Sequence, residues 1–153
     1  MTPARLAESI AADRAQRGIR TRTWTLTHPA RPLTVNKERT MHYQTRATAV
    51  REWRGVFHLL ALEARLPHCA AITVHVDQEL RNRAHIPDIG ACFPSVKAAI
   101  DGLVDAGVID DDDPVHLPLL AFAAPHVTGR DALTLTITEA RPRGTTPAPR
   151  SLR

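Results

Sequence analysis

The chain has 153 residues, 43% of them hydrophobic, and carries 20 Lys and Arg against 16 Asp and Glu, for a net charge of +4 and a pI near 9.8. That length suits one domain around a single core, and the basic balance is compatible with a polyanionic partner. Two cysteines without a CxxC exclude a disulfide framework, and no apolar run reaches the length of a membrane span or forms a signal-peptide core, so a reduced, cytoplasmic setting is expected.

Residues 1–21 read as an appended helix or arm, with Leu6 and Ile10 on one face and Gly18 near its end. Thr23 to His28 alternates at period two and predicts a strand. Pro29 to Lys37 is expected to be an extended loop, because Pro29 and Pro32 restrict it. Thr45 to Arg65 predicts the longest helix, with Val50, Trp53, Phe57, Leu60 and Ala64 at steps of three and four, ended by Pro67. Ala71 to Asp77 predicts a strand presenting Ile72, Val74 and Val76. Pro94 opens a second helix that buries Val96, Ile100, Leu103 and Val104 and stops at Gly107. Leu117 to Ala124 is an apolar run expected to form a central strand, and Ala132 to Glu139 alternates cleanly with Leu133, Leu135 and Ile137 inward. From Arg141 onward the chain has nothing to bury and reads as a disordered basic tail. The fold class expected is therefore α/β (α+β): residues 22–140 form a small mixed sheet of about four strands flanked by two helices.

The chemistry concentrates between Pro87 and Asp113. Asp88 stands alone in a loop, Lys97 lies one turn into the second helix, and Asp110-Asp111-Asp112-Asp113 follows Gly107. Four adjacent carboxylates repel one another unless solvent or a cation neutralises them. Hydrolysis of a phosphodiester needs a Lewis acid and an activated water, and hard oxygen ligands hold Mg²⁺ for both. Asp88 with Asp111 or Asp112 would suit that role, and an ammonium at Lys97 would stabilise developing charge. The eight histidines show no HxxxH or HExxH spacing, so a zinc site is not expected. An EF-hand is excluded by its missing glycine and distal glutamate, and no phosphate-cradling glycine loop or GxSxG elbow is present, so no nucleotide cofactor is expected. The bland alternative stays open, in which Asp88 caps or is solvated and the acidic turn is a solvated face.

The order of these features resembles the RusA family of Holliday junction resolvases, particularly its actinobacterial and phage versions. The residues that carry the resemblance are Pro32-Leu33-Thr34-Val35-Asn36 after the first strand, Trp53-Arg54 in the first helix, and Asp88 before the block from Pro94 to Val108 with its Lys97. Asp111-Asp112 and the closing strand from Leu133 to Glu139 complete it. The similarity covers about Trp24 to Glu139. It implies a compact α/β homodimer that cuts branched DNA with Mg²⁺, Mn²⁺ being a substitute. Carried over by position, the catalytic residues are Asp88, Asp112 and Lys97, the metal ligands Asp88, Asp111 and Asp112, and Asn36 joins the DNA contacts. The sequence departs from the family where a second Asp, or an Asn three positions after the first, is common: Gly90 and Ala91 stand there. Only two arginines, Arg81 and Arg83, precede Asp88 where the family has a run.

The leading expectation is thus a Mg²⁺-dependent endodeoxyribonuclease acting on four-way junctions or related branched DNA, with Lys37, Arg39, Arg81 and Arg83 on backbone phosphates. Gly90 and Ala91 favour a rival, a catalytically silent junction binder with a degraded metal site. A small interaction protein with a merely solvated acidic turn is the third reading.

Overall fold

The computed structural model describes residues 21–144 without a break, together with residues 2, 4, 5, 8–10 and 12. Most of the expected N-terminal arm and the tail from residue 145 lie outside the described residues; residues 4, 5, 8–10 and 12 are helical. In chain order the domain runs β1 (Thr23–His28), α1 (Val35–Thr40), α2 (Tyr43–Glu63), β2 (Ala71–Leu80), α3 (Phe93–Asp105), β3 (Leu119–Phe122), β4 (His126–Val127) and β5 (Ala132–Ala140). Among the described residues no helix is long and apolar enough to cross a membrane.

The five strands form one mixed sheet in the order β1-β5-β2-β3, with β4 on the same edge of β2 as β3. β5 is antiparallel to both β1 and β2, whereas β3 and β4 run parallel to β2. Period-two alternation fixes the faces. Leu26 pairs with Leu135 and Val76 with that same Leu135, so one face is apolar across three strands. Ile72, Val74, Leu133 and Ile137 share that face, and Trp53, Phe57, Val96, Ile100 and Leu103 of α2 and α3 cover it in one buried cluster. The opposite face carries the threonines of β1 and β5, and the Thr27 and Thr134 hydroxyls lie 2.9 Å apart across it.

The two large helices cross at Gly102. A Cβ there would collide with the Arg54 carbonyl oxygen and sit 2.9 Å from the His58 nitrogen, so only glycine lets the backbones approach this closely. Arg54 closes the crossing with a two-pronged bond to Asp105, at 2.5 and 2.7 Å. Beside it the Trp53 and Phe57 rings stack 6.2 Å apart.

Three expectations need correction. Pro29 to Lys37 is extended only as far as Thr34, where α1 begins. The Thr34 hydroxyl accepts from the Lys37 amide as an N-cap, and both prolines lie upstream, where their restriction no longer reaches the helix. The apolar run Leu117 to Ala124 does not form a central strand. Its ordered part, β3, is an edge, because β5 returns between β1 and β2 and takes the middle of the sheet. Leu119 is accordingly 45% exposed. Finally, α2 does not span Thr45 to Arg65: it runs Tyr43–Glu63, and Arg65 lies beyond it in a left-handed conformation with φ of 53°. The chain also stays tied down beyond Ala140, since the Arg143 amide donates to the Val115 carbonyl at 3.3 Å.

Candidate functional site

α3 is buried along most of its circumference, leaving Phe93, Lys97, Asp101 and Asp105 as the stripe least covered by the core. Gly107, at φ 77°, turns the chain back along the helix, with the Val108 amide bonded to the Leu103 carbonyl and the Gly107 amide to that of Val104. This reversal brings the acidic tetrad alongside the lysine. The Lys97 Nζ donates to Asp101 Oδ1 and pairs with Asp112 Oδ2, both at 2.6 Å.

The tetrad is not one block of charge, because each carboxylate has its own environment. Asp110 meets the His68 Nε2 at 3.0 Å. Asp111 Oδ1 accepts from the Asp112 amide at 2.8 Å. Asp113 Oδ1 accepts from the Val115 and His116 amides and meets the His116 Nδ1 at 2.7 Å. The hydrogen bond from Lys97 holds the Asp112 carboxyl below the usual carboxylate range against the opposing effect of burial. At Lys97 itself burial disfavours the charge, but the bonds to Asp101 and Asp112 outweigh it and raise the ammonium above its ordinary value. Asp113 is lowered first by its His116 amide contact.

Asp88 lies in the exposed loop between β2 and α3. Its carbonyl accepts from the Ala91 amide at 3.0 Å, while no hydrogen bond or ion pair joins its carboxylate to Lys97 or Asp112. Gly90 has φ of 80°, a conformation that suits glycine and strains an aspartate, and the Ala91 carbonyl accepts from the Val35 amide at 2.9 Å. The two positions that depart from the RusA pattern thus build the turn and anchor α1. Ser95 adds a second tie, its buried Oγ accepting from the Leu33 amide at 2.7 Å.

Those ties set the segment from Arg31 to Thr40 beside the loop from Arg81 to Asp88. Between them lies a groove of about 530 Å³, lined in part by Arg31, Asn36, Lys37, Met41, Trp53 and His85. Arg31 bridges its walls by donating to the His85 carbonyl at 3.3 Å. Of the expected DNA contacts, Asn36 and Lys37 line this groove, while Arg39, Arg81 and Arg83 are exposed outside its lining. Sequence reasoning overlooked Arg31 and His85, which carry no spacing signal, and Asp101, whose i,i+4 relation to Lys97 was legible.

Among the described residues no three His, Cys, Asp or Glu side chains converge as a ready metal-binding group. Mg²⁺ needs less, since one or two carboxylates together with waters and substrate phosphates complete its octahedron. Hard oxygen donors suited to that partial shell are present at Asp88, at Asp111 and at the Asp112 oxygen not taken by Lys97. Compared with known proteins, the chain matches no family model and no curated sequence.

Proposed function

We propose that the protein is a Mg²⁺-dependent endodeoxyribonuclease of the RusA type, acting on Holliday junctions or related branched DNA. The observation that supports this reading is the Lys97 ammonium held between Asp101 and Asp112 on the exposed stripe of α3. A lysine fixed in this way stays charged throughout the neutral range and keeps one donor for a phosphate oxygen. It also fixes the rotamer of Asp112, which leaves that residue's second oxygen in a defined place. One or two carboxylates drawn from Asp88, Asp111 and Asp112, with waters and substrate phosphates, would hold Mg²⁺, which supplies Lewis-acid stabilisation of the phosphoryl oxygens when bound. Lys37, Arg39, Arg81 and Arg83 contact the DNA backbone and position the substrate without reading its sequence, and Asn36 joins the DNA contacts.

A four-way junction has approximate two-fold symmetry, and two symmetric cuts call for two equivalent sites, which a C₂ homodimer supplies. Because α3 is largely buried within its own subunit, the contact falls to the edge strand β3 with its exposed Leu119.

Gly90 favours a second reading, a silent junction binder. Its left-handed turn leaves no favourable place for the second aspartate of the family pattern. Nicking of a four-way junction with and without Mg²⁺, run beside a gel shift, tests both. Mg²⁺-dependent nicking carries the nuclease reading. Binding without nicking carries the silent one, and absence of binding at physiological salt removes both in favour of an interaction protein.

A further inference from the structure

The groove beneath α1 combines two chemistries that a duplex backbone alone does not require. Its rim carries Arg31, Lys37, Asn36 and His85, and no acidic side chain lines it. The Lys37 ammonium and the Asn36 carboxamide have no partner among the described residues, so both are available to a ligand. Its floor is apolar: Leu33 and Trp53 are nearly buried, and Met41 and Ala49 are half-buried. Phosphates gain nothing from such a floor, whereas the apolar face of a nucleobase does, and contact of that kind tolerates any base. A volume of about 530 Å³ falls within the range of small-ligand clefts and is too small for a duplex.

We infer that this groove takes a single unpaired nucleotide of the DNA substrate, its base against Met41, Ala49 and the small exposed part of Trp53, and its phosphate at Lys37 and Arg31. This rests on the DNA-processing reading above and narrows it to DNA whose strands are partly unstacked, as at a crossover or a flap. Asn36, offering both a donor and acceptors, faces the base edge.

The test is tryptophan fluorescence of a Trp24→Phe chain, in which Trp53 is the sole reporter, titrated with a ten-residue oligothymidylate, with a paired duplex of equal length, and with inorganic phosphate. Oligothymidylate should change the emission at concentrations where the duplex and phosphate do not. Lys37→Gln should weaken that binding and lower the slope of log affinity against log salt by about 1. Met41→Glu, checked for an unchanged circular dichroism spectrum and melting point, should weaken it by on the order of tenfold or more. A response to phosphate as strong as that to oligothymidylate, or no response at all, overturns the inference. So does binding that Lys37→Gln leaves unaltered; that surface variant decides the matter should Met41→Glu misfold. Junction cutting without oligothymidylate binding sinks this inference and spares the nuclease reading, and binding without cutting does the reverse.

Discussion

Lys97 carries two carboxylates on one ammonium, and the two are not equivalent. Asp101 sits one turn along the same helix and moves with it, whereas Asp112 belongs to a separate turn, so its bond to Lys97 also closes tertiary structure. Because the folded Asp112 carboxyl titrates below its unfolded value, the contribution is complete above the unfolded pKa of about 3.9 and is lost as pH falls through the depressed one. The raised Lys97 works in the opposite sense: its contribution is complete below about 10.4 and disappears as pH rises through the higher folded value. The pairing therefore persists across the whole neutral range. Asp112→Asn should abolish nicking while leaving junction affinity equal or higher, since a negative charge near the DNA is removed. The same substitution should flatten the acid limb of the stability curve. Wild-type nicking by this variant would take Asp112 out of the mechanism.

α2 and α3 end on the same pattern of hydrogen bonds with different residues at the left-handed position. After α3 it is Gly107; after α2 it is Arg65, where the Leu66 amide reaches the Ala61 carbonyl and the Arg65 amide that of Leu62. An L-residue with a side chain is strained there, by about 1–2 kcal/mol. Arg65→Gly should relieve this and, after the added flexibility of the unfolded chain, raise stability by roughly 0.5–1 kcal/mol in urea titration. Gly102→Ala should act the other way. Alanine gains about 1 kcal/mol in helix propensity, but the collision is with backbone atoms that no rotamer change can move, so a net loss of about 1–3 kcal/mol and a melting point lower by roughly 5–10 °C are expected. The two long helices and the three long strands were legible in the sequence because their period matched their burial. Thr34 as a cap was legible too, had it been weighed against the prolines before it. The edge position of Leu117 to Ala124 was not, since an apolar run looks alike in the middle of a sheet and at its rim, and only the return path of β5 decides between them. Lys97 and Asp112 were placed by pattern. Their direct contact needed the reversal at Gly107, which hydrophobic periodicity does not encode.

At the scale of the whole molecule the open edge at β3 is what a second subunit would cover. Light scattering at micromolar concentration should give about twice 16.8 kDa, and a strict monomer that still resolves junctions would remove the symmetric two-cut scheme. Ion pairing has a consequence for encounter in solution. A carboxylate beside its own cation is a dipole, and the potential of a dipole decays faster with distance than that of an isolated charge. Beyond a Debye length, about 8 Å at physiological ionic strength, such a pair is nearly silent. Within the acidic turn, among the described residues, only Asp112 has a lysine or arginine partner, and it shares that Lys97 with Asp101. Arg22–Glu139, Arg54–Asp105 and Arg130–Glu79 cancel in the same way. What an approaching polyanion senses close to the surface is then set by charges without an opposite partner among the described residues, including the cations Lys37, Arg39, Arg81 and Arg83 and the acid Asp111, while the net +4 that governs the far field is unchanged by pairing. In stopped-flow mixing with DNA at low salt, Asp110→Asn should speed association modestly by removing an exposed negative charge, while Arg81→Gln with Arg83→Gln should slow it.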